Sequence, residues 1–264
     1  MAAVDPSIFE IFTITSTDGK KSVDLRGGVV NFSYFEDVFS PMVTATVLIA
    51  STGNVMDDED GNKVSMYNGL PLRGGEKVSV KIPGNSSTNI DLEFTDKTEN
   101  QFFVASISNV IIDAESESFT LNLVSREAIT NETSRVGKKF PSSEPISDSV
   151  KEIIEKYLVS KKALDVDKTM NPYGFFGNMK KPFTILTWLA SKSVPGNSSG
   201  QSASAGYFFY ETKDGFNFKS IDTLITKNPF PEKYIYSPGV VDNEDPKRDF
   251  KILQYSVTRN QNLI

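Results

Sequence analysis

Seven short segments in the first 125 residues alternate apolar and polar side chains with a period of two. That period puts neighbouring side chains on opposite faces of a strand. This half of the chain can therefore fold only by pairing strands and burying one face. Phe9, Ile11 and Thr13 alternate with Glu10 and Phe12, while Val30, Phe32 and Tyr34 share a face, as do Val43, Ala45, Val47 and Ile49. Val78, Val80 and Ile82 alternate with Ser79 and Lys81; Ile90, Leu92 and Phe94 alternate with Asp91 and Glu93. The clearest pair is residues 104–112 and the Phe119, Leu121, Leu123 alternation, separated by a polar turn. Short strands joined by hairpins predict an antiparallel barrel or sandwich. Two loops interrupt it, an acidic one at residues 57–61 and a second at 69–75 leading into a strand.

The period changes after Arg126. Ile146, Val150, Ile153, Ile154 and Tyr157 follow helical spacing, with Ser147 as N-cap and Glu152 and Lys156 four apart on the opposite side. A helix of about twelve residues, roughly 18 Å long, is marginal alone in water, so its stripe has to dock. A second helix begins near Pro182, a favoured first-turn residue. Phe183, Leu186, Ala190 and Val194 fall on one side of it, with Ile185, Trp188 and Leu189 roughly opposite. A helix apolar on both sides is expected between two surfaces, where the halves of the chain or two protomers meet.

Residues 196–206 are low in complexity and expected to be exposed. A hairpin over 207–221 follows, turning at Asp214-Gly215, with Tyr207 and Phe209 on one face and Phe208 and Tyr210 on the other. One face belongs to the core; the other would cover the helix or a neighbouring subunit. Ile185, Trp188, Leu189, Phe208 and Tyr210 are thus the candidate interface or inter-domain packing residues. Prolines at 229 and 231 break regular structure, and 242–246 reads as a polar linker. A last strand puts Phe250, Ile252, Gln254, Ser256 and Thr258 on one face and Leu253, Tyr255 and Val257 on the other. Either it pairs with an earlier strand or the natural protein continues past Ile264, and the second is the expectation.

Composition removes most catalytic templates. The 264 residues include no Cys and no His, which excludes thiolate sites, His ligands and His-based triads. A net charge of −6 gives no nonspecific attraction to nucleic-acid backbones. The N-terminus shows no secretion signal and no apolar run is long enough to span a membrane, so a soluble protein made in a cytoplasm is expected. Asp58-x-Asp60-Gly61 matches a fragment of a calcium loop, but the twelfth position from Asp58 is Gly69 and not Glu, so a solvated loop is expected. Gly27-Gly28 and Gly74-Gly75 precede strands and read as turns. Glu93, Glu99, Asp113 and Glu211 read as solvated strand-edge carboxylates. No catalytic residue, cofactor or metal site is expected, and no enzyme.

Lys181-Pro-Phe-Thr-Ile-Leu-Thr-Trp-Leu-Ala190, a polar loop, then Tyr207-Phe-Phe-Tyr-Glu-Thr-Lys-Asp-Gly-Phe-Asn-Phe218 resembles a signature of phage tail hub proteins and of the type VI secretion spike. There a helix x-x-Phe-x-x-Leu-x-x-Leu-Ala precedes Gly-aromatic-aromatic, Asp-Gly and a further aromatic. Residues 31–49, 72–82, 102–110, 119–124 and 146–158 look like the family's early strands and connecting helix, in the same order. The resemblance implies an α+β, mainly β fold: a tail-tube-like antiparallel β-barrel over 1–125, an α+β connector with two helices and the aromatic hairpin over 126–245, and the first strand of a second barrel over 246–264. It implies a structural virion protein, the central hub of a contractile-tail baseplate, assembled in the host cytoplasm. Such a hub is a homotrimer and symmetry adaptor, joining a trimeric tail spike to a hexameric tail tube or tube initiator and contacting baseplate wedge proteins. DNA would pass its lumen without specific binding, and no membrane is involved. The chain is shorter than the family pattern, and its 196–206 segment replaces a tight turn. A type VI spike base would need valine-glycine repeats after a second barrel, and none is present. A carbohydrate-binding virion β-protein, stacking sugars on residues 207–210, is the reading from another class.

Overall fold

In the computed structural model of the chain, which describes residues 8–52, 56–57, 61–70, 72–84, 91–97, 99–113, 116–196, 206–229, 233–238, 250–252 and 255–256, the alternating segments pair into a sheet. In chain order the first elements are β1 (Ile11–Thr15), β2 (Ser22–Asp24), β3 (Val29–Phe35), β4 (Thr44–Ser51), β5 (Met56–Asp57), β6 (Lys63–Val64), α1 (Met66–Gly69), β7 (Lys77–Ile82), β8 (Leu92–Phe94), β9 (Phe102–Ile112) and β10 (Glu117–Ser125). Eight of the strands form one antiparallel sheet, ordered β2-β1-β7-β9-β10-β4-β3 with β8 also on β7. One edge of β7 is shared: β9 takes Lys77 and Val78, and β8 takes Val80, Lys81 and Ile82. β5 and β6 pair only with each other.

The sheet curls around its apolar face. Phe12 of β1 and Phe32 of β3 lie far apart in strand order, yet their rings meet edge-on at 5.9 Å. Tyr34 of β3 meets Phe94 of β8 at 5.5 Å. The curl is that of a half-barrel, because the hydrogen-bonded path between β3 and the β2/β8 end stays open among the described residues. Each fully buried Phe, Ile, Leu or Val here contributes roughly 1.5–3 kcal/mol.

One end of this core is sealed by a segment that reads as a loop in sequence. Met66, Leu70 and Leu72 are buried there. Two carboxylates make the burial tolerable. Glu117 accepts the Met66 N–H at 2.8 Å and the Tyr67 N–H at 3.2 Å, capping α1, and Glu76 accepts from the Arg73 N–H at 2.8 Å. Buried main-chain donors need such partners, so Leu70 and Leu72, from a segment expected as a polar loop, join the core instead.

The remaining elements are α2 (Arg126–Thr133), β11 (Lys139–Phe140), α3 (Ile146–Lys156), β12 (Leu164–Val166), β13 (Phe175–Phe176), α4 (Pro182–Ala190), β14 (Tyr207–Thr212), β15 (Gly215–Ser220), α5 (Ile221–Thr226), β16 (Ile235–Tyr236) and β17 (Lys251–Ile252). β14 and β15 form the hairpin, and β12 adds to β15 in parallel. β11 pairs with β13. α3 packs on α4, and α4 on β14, enclosing a second core that includes Phe140, Val150, Ile153, Leu186, Phe209 and Phe218. Of the described residues of the first half, Met42 and Val124 pack against this second core. Among the described residues no helix is long and apolar enough to cross a membrane.

Several local details differ from the sequence expectation. Ser147 lies inside α3, whose N-cap is Pro145; the Ser147 N–H donates instead to Thr169 Oγ1 at 3.0 Å, so a distant side chain does the capping. The hairpin turns at Lys213 and Asp214, with Gly215 already paired to Thr212. Val194 falls beyond the end of α4. α2 carries no apolar stripe, burying Glu127, Ala128 and Asn131, while α5 has Ile221, Leu224 and Ile225 at helical spacing but spans six residues and buries none of them, so neither helix was anticipated. In the last strand the described piece, β17, pairs in parallel with the earlier β16. Ile90, residues 58–60, 197–205 and 242–246, Phe230, Pro231, Leu253, Gln254, Val257 and Thr258 lie outside the described residues.

Candidate functional site

The two cores meet along a seam made mostly of polar contacts. The segment between β3 and β4 crosses from the sheet to the hairpin. Phe39 stacks edge-on against Phe208 at 5.3 Å. Glu36 accepts the Tyr34 hydroxyl and the Lys213 N–H, each at 2.7 Å. From the sheet side Asn100 Nδ2 donates to the Lys213 carbonyl at 2.5 Å. The turn of the hairpin is thus gripped from two sides by the first half of the chain.

Beneath that grip lies a buried ionic trio. Glu211, Lys162 and Glu127 have side chains 0%, 1% and 0% exposed. The Lys162 ammonium contacts Glu211 Oε1 and sits 2.9 Å from Glu127 Oε2, the latter an ion pair without hydrogen-bond direction. Glu211 Oε2 accepts the Val43 N–H at 2.9 Å and the Ser125 hydroxyl at 2.7 Å. Glu127 Oε1 accepts the Ser160 hydroxyl at 2.7 Å and Arg126 Nη2 at 3.2 Å. Lys162 Nζ also lies 5.8 Å from the centre of the Phe216 ring. The clasp therefore ties β14, the ends of β10 and α2, the segment after α3, and the start of β4.

Its two carboxyls differ in proton affinity. Burial raises Glu211, and this outweighs the pull of Lys162 and of the Val43 and Ser125 donors, so its pKa lies above the ordinary carboxylate value. Burial acts the same way on Glu127, but Lys162 and Ser160 overcome it and hold that carboxyl below its ordinary value. On the neighbouring strand end the Tyr207 phenol is pushed up to about 12, chiefly by burial.

Val159 positions this network at the expense of its own backbone. It has φ of +51° while its side chain is 61% exposed, and its carbonyl accepts from Arg126 Nη2 at 3.2 Å. A β-branched residue in the left-handed region costs about 1–2 kcal/mol, which Asn largely avoids. Val159→Asn is expected to raise the unfolding free energy by about 0.5–1 kcal/mol. Denaturant titration checks this, and a loss of stability would show that the Val159 side chain packs in solution.

Of the residues singled out from sequence, Ile185 and Leu189 are buried in the second core. Trp188 stays 39% exposed, edge-on to Tyr173 and Phe175 at 5.6 Å each. It lines an open apolar cleft of about 460 Å³ with Pro41, Phe183, Thr184 and Thr187. Phe208 packs on Phe39, and Tyr210 is half-buried opposite Asn217. α4 lies against the other face of the hairpin, with Phe183 5.9 Å from Phe209 and 6.3 Å from Phe216. The Phe208/Tyr210 face therefore does not cover the helix. Glu211 is buried and not the solvated carboxylate expected. A signal for it existed: it shares parity with Tyr207 and Phe209, the buried positions of β14. Lys162 and Glu127 carry no such signal.

No protein-family model matches the chain, and no curated protein does. Among solved structures it is similar to the 43 kDa tail protein of prophage MuSo2 from Shewanella oneidensis, with 10% identity and a TM-score of 0.49 over 80% of this chain and 54% of that one. It is similar to a tail protein from Neisseria meningitidis MC58, with 12% identity and a TM-score of 0.43 over 78% of this chain and 50% of that one. An E. coli type VI secretion component, itself described as structurally similar to T4 tail proteins, gives 7% identity and a TM-score of 0.38 over 83% and 48%. The chain spans about half the length of these proteins, and each TM-score lies under 0.5.

Proposed function

We propose that the chain is a structural, non-enzymatic subunit of a phage-type tail: a baseplate hub that, as a trimer, joins a trimeric spike to a hexameric tube and contacts wedge proteins in the virion. The observation that carries this reading is the α4–loop–hairpin unit, whose residues bear the hub-like signature and whose turn is clasped to a curled β-sheet. A part that transmits force between two assemblies needs its halves held in one orientation. The Glu211–Lys162–Glu127 trio suits that role, because directional buried polar contacts specify geometry where apolar packing alone tolerates sliding. The trio is also closed: its two carboxylates share the one cation, Lys162, and accept from neighbouring donors, which suits a joint better than acid–base catalysis. Of the aromatics that a sugar-stacking reading needs, Tyr207 and Phe209 are buried and Phe208 rests on Phe39.

Light scattering of the purified protein, alone and mixed with a trimeric tail spike protein, tests the proposal. A trimer, or a 3:3 complex with the spike, is the expected result. A monomer that ignores both spike and tube proteins would overturn it.

A further inference from the structure

One region of the curled sheet is unlike the rest of the surface. Across β3, β4, β9 and β10 the only charged side chain is Glu117, and it points inward to cap α1, although 23% of the chain is charged. The register places Ser33, Thr46, Asn122 and Ser106 in one outward row across the four strands. Asn31, Leu48, Thr120 and Ser108 form the next row. Asn122 Nδ2 donates to Ser106 Oγ at 3.0 Å, so these polar groups partly satisfy one another. Apolar side chains stand out beside them, with Val30 62% and Ile111 60% exposed. The other half of the same sheet differs: there Lys81 pairs with Glu10 at 2.9 Å and Lys77 with Asp96 at 3.6 Å.

The face also ends on an open edge. β3 is the last strand of the sheet, with its outer side unpaired among the described residues. Edges that stay in water are usually blunted by Lys, Pro or an inward charge, and β3 (Val-Val-Asn-Phe-Ser-Tyr-Phe) has none of these; its one irregularity falls between Val29 and Asn31. Interface cores are depleted in charge, and exposed apolar patches of this kind mark contact sites.

We propose that this uncharged outward face, with the free β3 edge, is where further copies of the chain dock on one another. Charge decides the occupant. Two copies of a chain with net charge −6 repel one another overall, so they meet most readily where charge is absent, and this face is such a region among the described residues. A charged partner would bury its charges here without a counter-ion, which is strongly unfavourable, whereas a second copy brings an equally uncharged strand set. This extends the trimeric reading above by naming its contact face, and rests on that reading only for the number of copies.

The test is Ser33→Lys/Thr120→Glu, which puts two charges on the face, two strands apart, and leaves the net charge unchanged. Ser79→Lys, on the outward side of β7, is the control. Sedimentation velocity over a concentration series reads association, and circular dichroism melting reads folding. The wild type and the control are expected to associate alike, while the double variant melts normally and its dissociation constant rises at least about a hundredfold. If the double variant associates as tightly as the wild type, the face is overturned while a trimeric hub stands. A wild-type chain that stays monomeric at every concentration overturns the docking proposal, and the spike titration then judges the hub separately.

Discussion

Replacing Lys162 with Met is expected to lower the unfolding free energy by about 3–5 kcal/mol, the usual result of breaking a buried ion pair from one side. The substitution keeps most of the volume and the packing over Phe216 but removes the sole cation among three fully buried charges. Glu211 Oε1 then has no partner, and two carboxylates share a site with little access to water. For a chain of this size the melting midpoint falls by on the order of 10 °C. The triple variant Glu127→Gln/Lys162→Met/Glu211→Gln supplies the second reading. It removes the charges together, so a large part of the loss is expected to return, as in buried ionic clusters replaced by neutral groups. A Lys162→Met loss under about 1 kcal/mol would mean that water reaches the trio, because exposed pairs contribute no more than that.

Gly215→Ala is the second large effect, with an expected loss of at least about 2–4 kcal/mol. Gly215 has φ of +130°, a conformation that L side chains rarely adopt. A Cβ there would stand 2.1 Å from the Ala163 carbonyl oxygen and 2.9 Å from its carbon. These are main-chain atoms, and the same carbonyl accepts the Phe216 N–H at 2.9 Å. Relief requires moving the chain next to Lys162 away from β15. The substitution therefore acts on the clasp as well as on the hairpin. Gly215→Ala and Lys162→Met should be non-additive, their combined loss falling short of the sum by about 1 kcal/mol. Denaturant unfolding of the four species of the cycle measures this; strict additivity would show that the hairpin turn and the clasp are independent.

The proposed hub and its docking face rest on different parts of the molecule. The clasp ties the hairpin to the start of β4 and the end of β10, while the uncharged rows lie farther along the same strands. Substitutions at the clasp are therefore expected to act on stability, and those at the face on association.

Local pattern was enough wherever one face of an element meets a core. Period two marked β3, β4, β7, β9 and β10, and Pro182 with the apolar run after it marked α4, because burial of one side leaves a period in the residues themselves. The exclusion of Cys and His chemistry likewise needed no coordinates. The tertiary structure alone decided what depends on residues distant in the chain. Leu70 and Leu72 became a core plug because Glu117, about half a hundred residues on, satisfies the α1 N–H groups. Ser147 lost the capping role to Thr169. Glu211 was legible as inward-facing by its parity with Tyr207 and Phe209, but nothing local supplies the reason a carboxylate can stay there. That reason is Lys162, 49 residues earlier, and Ser125, 86 residues earlier. Period records which side of a strand is dry. Whether a charge survives on the dry side is set by the desolvation it suffers and the partners that offset it, and those partners are brought together only by the fold.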